Sequence, residues 1–124
     1  SKDYLEDGLL KYDSYEANKD AIAILKEAFK ENDHLNILVV FATWCGDSKT
    51  HLPDFFKVVD LAQMQNVKYL AVNRKKKVVN MDISYLDIQL VPTFIVYNGK
   101  VEIGRIVESP WYSLESDLVE ILKK

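Results

Sequence analysis

Between Asn36 and Thr43 the chain reads NILVVFAT, an uncharged run rich in β-branched and aliphatic side chains. An amphipathic helix would break such a run with polar residues at every third or fourth position, and a half-exposed strand would alternate. A continuous apolar stretch of this length instead predicts a strand covered on both faces, as in sheets flanked by helices. Its wholly apolar part, 37–42, is far short of the roughly 20 residues a membrane-spanning helix requires. This strand therefore needs covering layers, and the flanking sequence must supply them.

Upstream, from Ser14 to about Asn32, Ile22, Leu25 and Phe29 recur at helical spacing, with Ile24 and Ala28 widening the stripe. Downstream, Leu52, Phe55, Phe56, Val59 and Ala62 form the inward side of a second helix. Residues 67–73, VKYLAVN, predict a second strand with Val67, Tyr69 and Ala71 on alternate positions. MDISYLDI, 81–88, fits one helical turn. TFIVY, 93–97, and VEIGRIV, 101–107, are two more strands joined by Asn98-Gly99-Lys100, and Asn-Gly is a strong hairpin signal. Ser109 as cap and Pro110 at the first helical position announce the last helix, with Leu114, Leu118, Ile121 and Leu122 as its apolar face. The order predicts an α/β fold over one domain, 1–124. Its central mixed sheet has about four strands, parallel at first and closed by an antiparallel hairpin, with helices on both faces.

A chain of 124 residues is long enough to bury a core without staples, and 48% hydrophobic with 28% charged residues is an ordinary globular balance. The net charge of −3 argues against nucleic acid as partner. The basic run Arg74-Lys75-Lys76-Lys77 has no interleaved aromatics and reads as a solvated loop. No membrane segment and no signal peptide are visible, so a cytoplasmic monomer is expected. The first residue is Ser rather than Met, however, and a removed leader stays open. His34 and His51 share no ligand spacing, and with a single cysteine there is no metal site to name. His51, six residues past Cys45, would be turned away from the sulfur on a helix.

That cysteine is Cys45, in FATWCGDSKTHLPDF, 41–55. Here the chain resembles the thioredoxin family. WCGDS, 44–48, resembles the Trp-Cys-Gly-x-Cys signature at a strand-to-helix junction. Pro53 stands where thioredoxins bend the following helix, and Val91-Pro92-Thr93 is similar to their cis-proline segment. The Asn-Gly hairpin follows in order, so the likeness covers roughly 36–107. It implies a catalytic Cys45 with Ser48 beside it. It also implies a substrate surface of Trp44, Gly46, Asp47, Val91, Pro92, Thr93 and Glu108. Val91 would offer its backbone N–H and C=O to an extended substrate, although Pro92 also reads as a plain turn proline and Thr93 as a strand residue.

The sequence departs from the family in three places. Ser48 replaces the resolving cysteine. Val39 stands where thioredoxins bury an aspartate that serves the second thiol, and Glu108 falls near a small glycine of the family's last loop. The first two departures agree, because the acid is dispensable once its thiol is gone. A helix N-terminus and the Ser48 hydroxyl would favour the Cys45 thiolate, while Asp47 would oppose it. The expected pKa is therefore below the roughly 8.5 of free cysteine, by less than in the most acidic family members.

One thiol can form a mixed disulfide but cannot resolve it alone. No resident cofactor is called for, and glutathione is a candidate co-substrate. Two readings stand. One is a monothiol thiol-disulfide oxidoreductase or isomerase acting on a protein or low-molecular-weight disulfide, and the other is a non-catalytic thioredoxin-like adaptor that only holds its partner.

Overall fold

The structure is a computed structural model that describes residues 15–42, 46–72 and 82–123, with the backbone alone at 46–51. In chain order its elements are α1 (Lys19–Glu31), β1 (Leu35–Phe41), α2 (Gly46–Ala62) and β2 (Val67–Ala71). A 3-10 helix (Ser84–Leu86), β3 (Thr93–Asn98), β4 (Val101–Val107) and α3 (Leu114–Leu122) follow. The strands lie in the order β2-β1-β3-β4. β1 is parallel to β2 and antiparallel to β3, and β3 is antiparallel to β4. This is the mixed α/β sheet predicted above.

β1 is central and loses both faces to the interior. Leu35, Ile37 and Val39 enter one apolar cluster, while Val40 and Ala42 enter another together with the half-buried Leu38. The period of two in a strand separates the sets, and in β3 it sends Phe94 and Val96 one way and Ile95 the other. The three described α-helices share the first cluster, through Leu25 and Phe29 of α1, Leu52, Phe55, Val58 and Ala62 of α2, and Leu114 and Leu118 of α3. The opposite face is covered by the 3-10 helix and its flanks, which contribute Ile83, Leu86 and Val91.

Several element ends differ from those the periodicity predicts, and each has a distant cause. α1 begins at Lys19 rather than near Ser14, with the Asn18 side chain accepting the Ala21 N–H at 3.0 Å as its N-cap. The Asn18 N–H and the Tyr15 hydroxyl both donate to Glu115, at 2.6 and 2.5 Å, which holds this approach outside the helix. Burial and the adjacent Glu115 carboxylate push the Tyr15 hydroxyl above its ordinary pKa. In the same helix Ile24 is exposed, and Ala21 takes the inward place instead.

The hairpin turn is Gly99-Lys100, since Asn98 still pairs with Val101. Within this turn Gly99 has positive φ, at 66°. The Gly99 N–H donates to the His34 carbonyl at 2.8 Å, and its own carbonyl accepts from the Asn36 side chain at 3.1 Å, anchoring the turn on the start of β1. Further along, the register slips between Val96 and Tyr97, leaving Ile103 as an extra residue of β4. Gly104 then lies beneath α3, where a β-carbon would come within 2.7 Å of Ile121.

α3 is capped by Ser113, whose hydroxyl accepts the Ser116 N–H at 3.1 Å. Ser109 and Pro110 precede the helix instead of starting it. The Trp111 and Tyr112 N–H groups donate to the buried Asp117 carboxylate, at 2.6 and 3.1 Å, and are thereby kept out of the helical ladder.

Candidate functional site

The residue after Cys45, Gly46, is the first of α2. A helix of 17 residues leaves its first backbone N–H groups without partners inside the helix, and these belong to Gly46, Asp47 and Ser48. Trp44 and Cys45 themselves lie outside the described residues, as do the side chains of Asp47, Ser48 and His51 and the basic run 74–77; of Gly46 the helical backbone is described. Farther along the helix, Pro53 is interior. It has no N–H to offer the carbonyl four residues back, so the first turns of α2 carry one hydrogen bond fewer than a regular helix.

The second part of the site is built at the end of the sheet where β3 begins. The Val91–Pro92 peptide bond is cis. The Val91 side chain is buried in the second cluster, and Pro92 is buried beside it. Thr93 opens β3 between Val40 and Val107, and its hydroxyl donates to the Leu90 carbonyl at 2.6 Å. That bond satisfies a buried polar group within the turn, consistent with a strand role for Thr93. Glu108 joins the same corner: its N–H donates to the Pro92 carbonyl at 2.7 Å. Glu108, distant in sequence from Pro92 and Thr93, is therefore brought beside them.

Glu108 has φ 68°, in the left-handed region. An L-residue there costs roughly 1–2 kcal/mol that glycine avoids. This gives a backbone reason for the small glycine that the thioredoxin likeness implies near this position. Comparing two replacements isolates the backbone effect from the carboxylate: Glu108→Gly is expected to be more stable than Glu108→Ala by about 1 kcal/mol. Chemical denaturation measures the difference, and Ala equal to or better than Gly would contradict it. Val39, six residues before Cys45, is wholly buried in the first cluster. No carboxylate serves this site from that position.

Sequence reasoning missed the neighbouring aromatic pair and the acids beneath it. Trp111 and Tyr112 are 93% and 85% exposed, while Glu115 and Asp117, in the first turn of α3, are buried. No sequence signal distinguishes these acids from solvated ones, since each is set by backbone N–H groups brought in by the fold. Among the described residues no group of three or more His, Cys, Asp or Glu could hold a metal ion. Nor is any described helix long and apolar enough to cross a membrane.

Together the mixed sheet, the helix that starts just past the sole cysteine and the cis-proline turn before β3 fit a thioredoxin-like fold. The sequence profile of thioredoxin matches residues 2–115, and the chain belongs to the thioredoxin family. Thioredoxin-like protein R548 of Acanthamoeba polyphaga mimivirus is 28% identical over 90 residues, a stretch covering 73% of this chain and 64% of that protein. The match thus spans under two thirds of the viral protein's length. Among solved structures, Fasciola hepatica thioredoxin shares 19% identity at a TM-score of 0.52, covering 80% of this chain and 88% of its own. Mitochondrial thioredoxin 3 of Saccharomyces cerevisiae, in its oxidized form, shares 21% at 0.51, with 79% and 84% covered. A Pseudomonas aeruginosa protein of unknown function shares 17% at 0.56, covering 98% of this chain and 72% of that one. At these identities the structural likenesses establish the fold.

Proposed function

We propose that this chain is a thiol-disulfide oxidoreductase or isomerase that works with the single nucleophile Cys45 and an external thiol. The family and fold support thiol oxidoreductase chemistry in general. The observation that carries the monothiol form is the start of α2 at Gly46, one residue past Cys45, in a sequence with no second cysteine. Free N–H groups and the helix dipole at that end favour an anion, and the thiolate is the attacking species.

In the proposed cycle the Cys45 thiolate attacks one sulfur of a substrate disulfide. A new S–S bond forms to Cys45, and the other substrate sulfur leaves as a thiolate that takes a proton from water. Ser48 cannot displace the substrate, because an un-ionised hydroxyl is a poor nucleophile toward sulfur. A glutathione thiolate instead attacks the mixed disulfide and regenerates Cys45, leaving glutathione joined to the substrate. A second glutathione then releases the substrate thiol. Two thiols are oxidised to one disulfide as the substrate disulfide is reduced, so electrons balance without a bound cofactor. Alternatively, a second thiol of the substrate resolves the intermediate, and the outcome is isomerisation.

Disulfide reduction measured with and without glutathione tests the proposal. Wild type is expected to turn over only with glutathione, and Cys45→Ala is expected to lose all protein-dependent turnover. Equal rates in Cys45→Ala and wild type would overturn the reading and leave the non-catalytic adaptor.

A further inference from the structure

Asn98 is the one asparagine of the sequence followed by glycine, and both residues are exposed at the hairpin turn. An asparagine side-chain amide is an electrophile within reach of the next residue's backbone nitrogen, and glycine there puts no β-carbon in the way. In this reaction the deprotonated Gly99 nitrogen attacks Asn98 Cγ. A five-membered succinimide closes, and the side-chain nitrogen leaves as ammonia. Water then opens the ring at either carbonyl, giving aspartate or isoaspartate at position 98. Water is consumed as ammonia is released, so the atoms balance without a cofactor.

The folded hairpin opposes each backbone requirement of that reaction. The Gly99 N–H donates to the His34 carbonyl at 2.8 Å, and an amide held this way gives up its proton only when the bond opens. Asn98 still belongs to β3, paired with Leu35 on one side and Val101 on the other. Its extended backbone turns the Gly99 nitrogen away from the Asn98 side chain. Asn36 completes the clamp: its Nδ2 donates to the His34 carbonyl at 2.9 Å and to the Gly99 carbonyl at 3.1 Å. The Asn98 amide is only weakly engaged, its Oδ1 accepting from Asn32 Nδ2 at 3.5 Å, beyond the usual range of a hydrogen bond. The electrophile is thus open to water while the attacking nitrogen is locked.

We infer that Asn98 is a deamidation site whose conversion is gated by release of the β3–β4 turn from the start of β1. Isoaspartate adds a methylene to the main chain, so the Gly99 N–H and carbonyl no longer reach His34 and Asn36 together, and the released turn cannot close again. β3 runs from Thr93, next to Pro92, to Asn98, so the modification acts at the end of the strand away from the cis-proline corner. It is independent of the thiol chemistry proposed above. To test it, the full chain is incubated in mildly alkaline buffer, folded and in urea, and conversion at each asparagine is read by peptide mass mapping. In urea Asn98 is expected to convert fastest of all the asparagines, and in the folded chain at least about tenfold more slowly than in urea. Asn36→Ala, which removes both clamp bonds, is expected to raise the folded-state rate about tenfold and leave the rate in urea unchanged. Hydrogen exchange of the Gly99 amide should rise by the same factor, because one opening exposes both reactions. If Asn36→Ala does not fold, wild type in increasing sub-denaturing urea makes the same comparison, with conversion and Gly99 exchange climbing in parallel. Equal rates in the folded and unfolded chain, faster conversion at another asparagine in urea, or conversion that does not follow Gly99 exchange overturns the proposal.

Discussion

Ser48→Cys is expected to free the reaction from external thiol. With a second sulfur three residues along the first turn of α2, the mixed disulfide can be attacked from within the protein. Intramolecular reactions in good alignment reach effective concentrations of about 10⁵ M and more. Even an effective concentration on the order of 0.1 M gives a hundredfold advantage over roughly 1 mM glutathione, so resolution should accelerate about a hundredfold at that level. Val39 shapes the pH dependence. With a buried valine at that position, no carboxylate there accepts the proton of the new thiol. The rate of internal resolution should therefore grow as pH rises toward about 8.5, where an unassisted thiol ionises. Stopped-flow decay of a preformed mixed disulfide between Cys45 and a chromophoric thiol measures this directly. Continued strict dependence on glutathione in Ser48→Cys would show that the two positions do not meet productively.

The second large effect falls on stability. Phe55→Ala is expected to cost about 3–5 kcal/mol, a major part of the roughly 5–15 kcal/mol that holds a domain folded. Phe55 is fully buried at the centre of the larger cluster. Its ring lies 4.9 Å from that of Phe94 on β3 and meets Tyr69 on β2 edge-on at 6.3 Å. Truncation removes the joint between α2 and two strands of the sheet and leaves a cavity that the close-packed neighbours cannot fill. Phe56, one residue on, is only partly buried and touches Tyr69 at 5.5 Å, so Phe56→Ala should cost less than half as much. Urea titration with unchanged slope and a lowered midpoint checks the pair. A loss below about 1.5 kcal/mol for Phe55→Ala would mean that the cavity closes by repacking.

Local pattern by itself determined most of the architecture. The uncharged run at 36–43 can satisfy its side chains only as a strand buried on both faces, and β1 is that strand. Stripes at 3.6-residue spacing determined α1, α2 and α3 because a helix has to hide one side. In β3, TFIVY alternates between two clusters as the pleat requires. Of the candidate site, the start of α2 just past Cys45 and the cis bond before Pro92 agree with the motif spacing, which is local.

Tertiary structure decided what depends on partners far away in sequence. Glu115 holds Tyr15 and Asn18 across roughly a hundred residues and so sets where α1 begins. Asp117 keeps Trp111 and Tyr112 out of α3 and turns them to solvent, and His34 with Asn36 pins the hairpin at Gly99. The Glu108–Pro92 bond brings two loops to one corner, although nothing in either segment names the other. Side-chain periodicity records which face is hidden from water. Backbone donors and buried carboxylates find partners only when the chain has closed, so turn positions, helix starts and the exposed aromatic pair belong to the folded state.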